Sequence, residues 1–420
     1  MTSQETLLLP VKRTSLFRRL LLLASPSPAT DSFLSLLLVL GGAAWLLGAG
    51  SAEAASGSKQ GVTTNAPAED LFSEARVYQL KVTVPDSALE KLRQEPRHYV
   101  KATVTEGSRT YEEVGLRLKG ATNGTALEKK PGLVLKFNEF LKQQEFHGQS
   151  RILLSHSHSD PTYLADALGG ELFRQAGVPA TRTSFGEVEL NGRKLGLYVL
   201  GEAVNKEFLS RNFKKTKGNL YEGSHHDIHE KLEQDGGDTA AEQEDLRRLA
   251  RAVKEPDLAQ RWKKLGAVLD VERFIPFLAT EVLVWHQGGY GLDHGNYRIY
   301  HQPASDLLVF LPHDLDRLCG KQDAPILPEW QGMAAKALVE TPAGRQHYLE
   351  SLQKQLDDGF RPEFLNTRIE RLAALIRPVL ARDDPMALRA FDEAVPQLRD
   401  NIAKRAAYVQ KELQALAKPQ

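Results

Sequence analysis

From Val77 the chain alternates apolar and polar positions through Val77-Tyr78-Gln79-Leu80-Lys81-Val82-Thr83-Val84. Successive side chains on an extended backbone leave opposite faces, so this period of two predicts a half-buried strand. Pro85-Asp86-Ser87 then opens a short helix, and further strands are expected at 99–105, 112–119 and 133–137. Asp160-Pro161 opens a helix that runs to about Gln175, where Gly177 and Pro179 stop it. Residues 184–190 and 195–201 flank Asn191-Gly192, a dipeptide suited to the positive φ angles of a tight hairpin. Residues 72–222 therefore read as an α+β unit built on an antiparallel sheet. Residues 239–286 carry helical periodicity and end in FIPFLATEVLVWH. A short strand pair follows at Asn296–Tyr300 and Leu307–Leu311, and beyond Pro328 nearly everything is helical. Residues 223–420 thus form a second, largely helical unit. No internal repeat stands out.

The N-terminal pattern is different. Phe33–Ala52 contains no charge and follows Lys12, Arg13, Arg18 and Arg19. About 20 apolar residues suffice to span a bilayer, and Ala52-Glu53-Ala54 has the small-x-small form of a signal-peptidase site. Residues 1–54 are therefore expected to be a signal peptide or membrane anchor, with residues 33–52 the only membrane contact. The basic flank would stay inside and the rest would be exported. Residues 55–71 are small and polar, as a linker would be.

Composition narrows the options. The 420 residues hold 54 Lys+Arg against 54 Asp+Glu, with 41% hydrophobic and 26% charged residues. Wholesale disorder and a polytopic membrane protein are excluded, and charge balance speaks against nucleic acid as a partner. A single cysteine, Cys319, excludes an internal disulfide framework and multi-cysteine metal sites. His156-Ser157-His158 and His225-His226-Asp227-Ile228-His229 are dense in imidazole but lack the spacing of a helical zinc motif. Polar loop histidines are the simpler explanation.

Two clusters carry more specific chemistry. Phe310-Leu311-Pro312-His313-Asp314-Leu315-Asp316 puts two acids directly after an apolar strand. On an extended backbone both would point to one side, where a hard cation such as Mg²⁺ takes carboxylate oxygens. A turn or a helix N-cap would use the same residues. Asp293-His294-Gly295-Asn296 offers an acid and an amide on the loop into the partner strand. The other cluster is cationic: Arg117 and Lys119 on one strand, then Lys129, Lys130 and Lys136, with Glu202 able to pair with one of these lysines. Surface charges on a half-exposed sheet are its alternative.

Seven ordered segments together resemble the CotH kinase-like family. They are Val114–Gly120 (VGLRLKG), Lys130–Phe137 (KPGLVLKF), Asp160–Leu164 (DPTYL) with Leu172–Pro179 (LFRQAGVP), Asn191–Tyr198 (NGRKLGLY) with Glu202 behind it, Gly218–Tyr221, Asn296–Tyr300 and Leu311–Asp316. The resemblance covers about residues 75–415. It implies an atypical protein-kinase-like α+β fold, with an N-terminal antiparallel sheet lobe and a largely helical C-terminal lobe. It also implies ATP and Mg²⁺ (or Mn²⁺) as cofactors, and Ser/Thr of envelope or surface proteins as acceptors. Carried onto this sequence, Lys130 or Lys119 would contact phosphate and Glu202 would orient that lysine. Asn296 and Asp316 would hold the cation, with Asp314 as a further candidate. Relatives commonly carry W-D-G-Y before the N-Y-x-x-Y strand. Here the stretch is Trp285-His286-Gln287-Gly288-Gly289-Tyr290, with glycine where the acid is expected. Asp293 would substitute if its loop folds back. A nucleotide-binding or inactive pseudokinase, serving as a cell-surface structural or interaction protein, is the alternative this departure favours.

Overall fold

The computed structural model describes residues 70–120, 127–237 and 243–418. The expected leader at 1–54 and all but the end of the 55–71 linker lie outside the described residues. Leu71, at that end, is fully buried. No helix among the described residues is long and apolar enough to cross a membrane.

Seven strands form the first unit: β1 (Val77–Thr83), β2 (Val100–Glu106), β3 (Arg109–Leu118), β4 (Leu133–Lys136), β5 (Arg151–Ser155), β6 (Thr183–Leu190) and β7 (Arg193–Glu202). They close into a barrel in the order β1-β2-β3-β4-β5-β7-β6. The alternation read in β1 is realised: Tyr78, Leu80 and Val82 face inward against Leu116, Leu135, Ile152 and Leu200. Each such buried side chain is worth roughly 1.5–3 kcal/mol over leaving it exposed. The sheet is antiparallel except where β1 meets β6 in parallel, with Leu80 opposite Val188. That pair joins residues 108 apart in sequence, as between Gln79 and Glu187, so no local pattern announces it. Closure removes the free edges that an open sheet would expose.

The Asn191-Gly192 hairpin forms as expected, with φ of 49° and 78°. Asn191 does a second job, because its side-chain amide exchanges two hydrogen bonds with the backbone of Val84 at 2.7 and 2.8 Å. Helix α1 (Asp86–Gln94) follows β1, and α2 (Ala165–Gln175) carries the chain from β5 to β6. The second helix starts later than the Asp-Pro signal suggested. Asp160 accepts the N–H groups of Thr162 and Ala165, so residues 160–164 form a turn that leads into the helix.

The second unit holds α3 (Lys206–Asn212), β8 (Leu220–Glu222), β9 (Glu233–Gly236), α4 (Glu244–Ala252), α5 (Leu258–Gly266), α6 (Val271–Leu283) and α7 (Tyr290–Asp293). It continues with β10 (Tyr297–Gln302), β11 (Leu307–Pro312), α8 (Met333–Val339), α9 (Pro342–Asp358), α10 (Pro362–Asp383) and α11 (Pro385–Ala417). The expected strand pair is β10–β11, but it belongs to a four-stranded sheet ordered β11-β10-β8-β9. Strand β8 therefore pairs within the second sheet, beside β10. Its position is fixed by Tyr221, whose hydroxyl donates to buried Asp245, and by Asn219, which donates to the same carboxylate.

Helix α6 is buried along most of its length from Phe274 to Leu283 and packs between α9 and β11. Phe274, Phe277, Tyr290, Tyr297 and Phe310 form one aromatic cluster there. Arg405 of α11 is fully buried, and its guanidinium donates to the carbonyls of Val282, Leu283 and Gln322. It thereby satisfies orphan carbonyls at the end of α6 and fixes where the following loop begins.

Candidate functional site

The loops after β3 and β11 meet at the junction of the barrel with the second sheet. Lys119, one residue past β3, is anchored by its N–H to Gly132 O at 2.9 Å. Its Nζ reaches Asp314 Oδ1 at 2.9 Å, with 23% and 35% of the two side chains exposed. Burial alone would lower the Lys119 pKa, but Asp314, Asp166 and Asp316 together raise it. Burial likewise works against ionised Asp314, yet Lys119 and then His313 hold it down at about 2. The pair is therefore charged at neutral pH.

Asp314 has φ of +50°, so the backbone is not extended there. The expectation that Asp314 and Asp316 share one side fails for that reason. Asp314 lines the cleft that also contains Arg117, Lys119, Arg151, Asp166, Arg298 and His313. Asp316 lines a neighbouring groove and is hydrogen-bonded to Ser159. Burial and the charge of Asp314 raise the Asp316 pKa.

Asn296 sits against the same loop. Its Nδ2 donates to Asp314 O at 3.3 Å, and its N–H donates to Gly288 O at 2.6 Å. His286, buried and held neutral with its pKa pushed down to about 4, donates from Nε2 to Asp314 O at 3.2 Å. Asn296 and His286 thus both fix the Asp314 peptide. A Cβ at Gly288 would lie 2.8 Å from Asn296 Nδ2, closer than non-bonded atoms approach, so a side chain there would push the amide aside.

Three expected residues have other settings. Glu202 is 1% exposed and accepts Arg182 at 3.0 Å and Arg211 at 2.5 Å. It pairs with two arginines and no lysine, because β7 ends between the residue before β6 and helix α3. Lys130 sits between the rings of Tyr163 and Tyr198, 5.3 and 5.1 Å from their centroids, with Tyr163 Oη 3.4 Å away. Burial pushes its pKa down to about 8, against the pull of Asp384. Asp293 does not fold back. The buried carboxylate of Glu281 accepts Tyr290 N and Gly291 N, which fixes the one-turn α7, and Asp293 ends that turn facing solvent, 3.9 Å from His225.

Asp166 escaped notice in the sequence. It lies in the first turn of α2, where an acid is unremarkable as a dipole partner. In the fold its Oδ1 accepts Leu315 N at 3.0 Å. Burial, then Asp314, raises its pKa to about 7, with Lys119 opposing. Three carboxylates therefore crowd one lysine, a pattern typical of sites built to receive positive charge.

Among the described residues no three His, Cys, Asp or Glu side chains converge as a ready-made metal cluster. Asp314, Asp316 and Asn296 supply only oxygen donors and too few of them to enclose an ion. Mg²⁺ held by a single carboxylate plus phosphate and water needs only Asp314, which faces the cleft beside Lys119.

Comparison with known proteins gives a consistent assignment. The sequence is similar over 302 residues to inner spore coat protein H of Bacillus subtilis (strain 168), at 22% identity, covering 66% of this chain and 82% of that protein. Among solved structures, the Helicobacter pylori proinflammatory kinase CtkA is matched at 12% identity and a TM-score of 0.29, over 68% of this chain and 95% of that one. The HipA–HipB operator-DNA complex of the Shewanella oneidensis MR-1 toxin–antitoxin system is matched at 11% identity and a TM-score of 0.31, over 63% and 60%. Both scores are too low to bear on the fold. The CotH kinase protein family matches residues 116–409, most of the chain with both Lys119 and Asp314 included, and the protein belongs to that family.

Proposed function

We propose that the protein is an exported kinase that transfers the γ-phosphate of ATP to serine or threonine of envelope or surface proteins. The observation that carries this reading is the Lys119–Asp314 pair at the mouth of a charged cleft, with Asp166, Asp316 and Asn296 around it. Phosphoryl transfer through a loose transition state asks a protein mainly for positioning and charge. Lys119 is the phosphate contact in this account, preferred to Lys130 for its place in the charged cleft. Asp314 would hold Mg²⁺ or Mn²⁺ from the cleft side, with Asn296 behind it fixing the Asp314 peptide. When bound, the cation would neutralise charge on the phosphate oxygens. Asp166 orients the 314–316 loop through Leu315 N. The acceptor hydroxyl oxygen bonds to phosphorus as the bond to ADP breaks. With no carboxylate at Gly288, the hydroxyl proton leaves to solvent. Export is supported by the uncharged 33–52 segment and by the relative's description as a spore coat protein.

The test is transfer of labelled γ-phosphate to the protein itself or to dephosphorylated casein. Mg²⁺-dependent transfer that disappears in Asp314→Asn and Lys119→Ala is expected. Equal transfer in those folded variants would remove the site from the mechanism.

One observation favours a second reading, a nucleotide-binding pseudokinase that serves as a surface interaction module. Gly288 leaves the position facing Asn296 without an acid. On that reading ATP binds and no phosphate moves, and Gly288→Asp restores transfer once the Asn296 amide shifts to admit the carboxylate.

A further inference from the structure

The segment Asp314-Leu315-Asp316 separates two openings of contrasting chemistry. The one that Asp314 enters is dense in charge, including Arg117, Lys119, Arg151 and Arg298. The one that Asp316 enters has a volume of about 300 Å³, at the lower end for ligand pockets. Its far wall is α11, with Gln397, Leu398 and Asn401, and its near wall is the 285–287 loop, with Trp285 and Gln287. Besides Asp316 its charged side chains are Arg317 and Asp160, and the latter is spent on Thr162 and Ala165. A polyphosphate has little to bind there.

From this contrast we infer that the groove between α11 and the 285–287 loop is the docking site for the acceptor polypeptide. The inference rests on the kinase reading of the Lys119–Asp314 cleft and names what that cleft acts on. Side-chain amides suit an extended peptide, because each offers both a donor and an acceptor to main-chain groups. Gln287 is exposed, and Gln397 and Asn401 hydrogen-bond to each other at 2.7 Å on the solvent side of α11. Trp285, Leu318 and Leu398 are half-buried and form an apolar floor for one uncharged side chain next to the hydroxyl. The acceptor is therefore a serine or threonine in an extended segment with small or apolar neighbours. Strongly charged flanks would find no partner on these walls other than Arg317. Asp316 lines the groove and lies near enough to feel the charges of Lys119 and Asp314, so a hydroxyl carried in the groove is brought beside the metal-binding loop.

The experiment uses the full chain and a fluorescein-labelled serine peptide with alanine and leucine flanks, followed by anisotropy without ATP. A second peptide replaces the flanks with glutamate. Ala394→Trp fills the groove from the exposed side of α11, and Gln397→Ala with Asn401→Ala removes the amides without filling it. Wild type is expected to bind the neutral peptide, the tryptophan variant to lose binding, and the double alanine variant to bind roughly threefold to tenfold more weakly per lost backbone hydrogen bond. ATP binding should stay unchanged in both variants. Equal peptide binding in all three proteins, no binding by wild type, or preference for the glutamate peptide would overturn the groove assignment. Peptide binding with no phosphate transfer would overturn the kinase reading and leave the groove in place.

Discussion

Glu202 and Asp314 are both carboxylates at the ends of strands, and both face basic side chains across the junction of the two units. Their settings are opposite. Glu202 is 1% exposed and saturated by Arg182 and Arg211, with the Arg182 N–H as a further donor. Every lone pair has a partner, and the guanidinium pair pins β7 to the start of β6 and to α3. Asp314 has one lysine, a left-handed backbone, 35% exposure and two further acids close by. A fully compensated charge holds a structure together, whereas an under-compensated cluster is poised to take something up. The difference separates a hinge from a site, although both carboxylates look alike as letters after an apolar strand.

The comparison can be broken by substitution. Glu202→Ala leaves two guanidinium groups facing a gap, and a loss of roughly 3 kcal/mol is expected in denaturant titration. Transfer should fall only as far as the folded fraction does. Asp314→Asn is expected to do the reverse, cutting transfer by about a hundredfold or more while stability moves by less than about 1 kcal/mol, because the ion pair is partly exposed. If Asp314→Asn unfolds the protein and Glu202→Ala does not, the two roles are exchanged. Gly288→Asp is the next largest effect, a gain of about tenfold in transfer if a carboxylate beside Asn296 accepts the hydroxyl proton.

A smaller effect concerns pH. The folded pKa of Asp166 is raised to about 7, against roughly 3.9 in the unfolded chain. Folding therefore binds a proton between these values, and stability contributed by this group is present below about pH 4 and lost as pH rises through about 7. Asp166→Asn should flatten that decline, by on the order of 1 kcal/mol between pH 4 and pH 8 after allowance for solvent screening. Thermal melts of both proteins across that range measure it, and parallel curves would show that Asp166 is no more perturbed than a surface acid. The smallest effect expected is at the exposed Arg93–Glu128 pair, where Arg93→Ala should be nearly silent in the same melts.

Much of the architecture was legible because it is local. Period-two alternation marked β1, Asn-Gly marked the β6–β7 hairpin, and the apolar run before Asp314 marked β11. Barrel closure was not legible, since β1 and β6 meet far apart in sequence. The pairing of β8 with β10 was not legible, because three residues carry no period and the buried Asp245 that accepts the Tyr221 hydroxyl is distant in sequence. At the site, Lys119, Asp314, Asp316 and Asn296 were visible as residue types, and their convergence is a property of the fold. Alternation misplaced the two acids because the turn at Asp314 has positive φ. Glu202 was read as a partner for lysine because nothing local shows that Arg182 and Arg211 arrive first. Asp293 was read as a substitute acid because Glu281, which fixes α7 from below, gives no sign of that role in the sequence. Asp166 carried no signal, since an acid in a first helical turn is ordinary.

The most direct test of the contrast is calorimetric titration of ATP into wild type, Asp314→Asn and Glu202→Gln, each with and without Mg²⁺. Wild type and a folded Glu202→Gln are predicted to bind ATP more tightly when Mg²⁺ is present, and Asp314→Asn to lose that dependence. Mg²⁺-dependent binding that survives in Asp314→Asn, or vanishes in folded Glu202→Gln, would contradict the account.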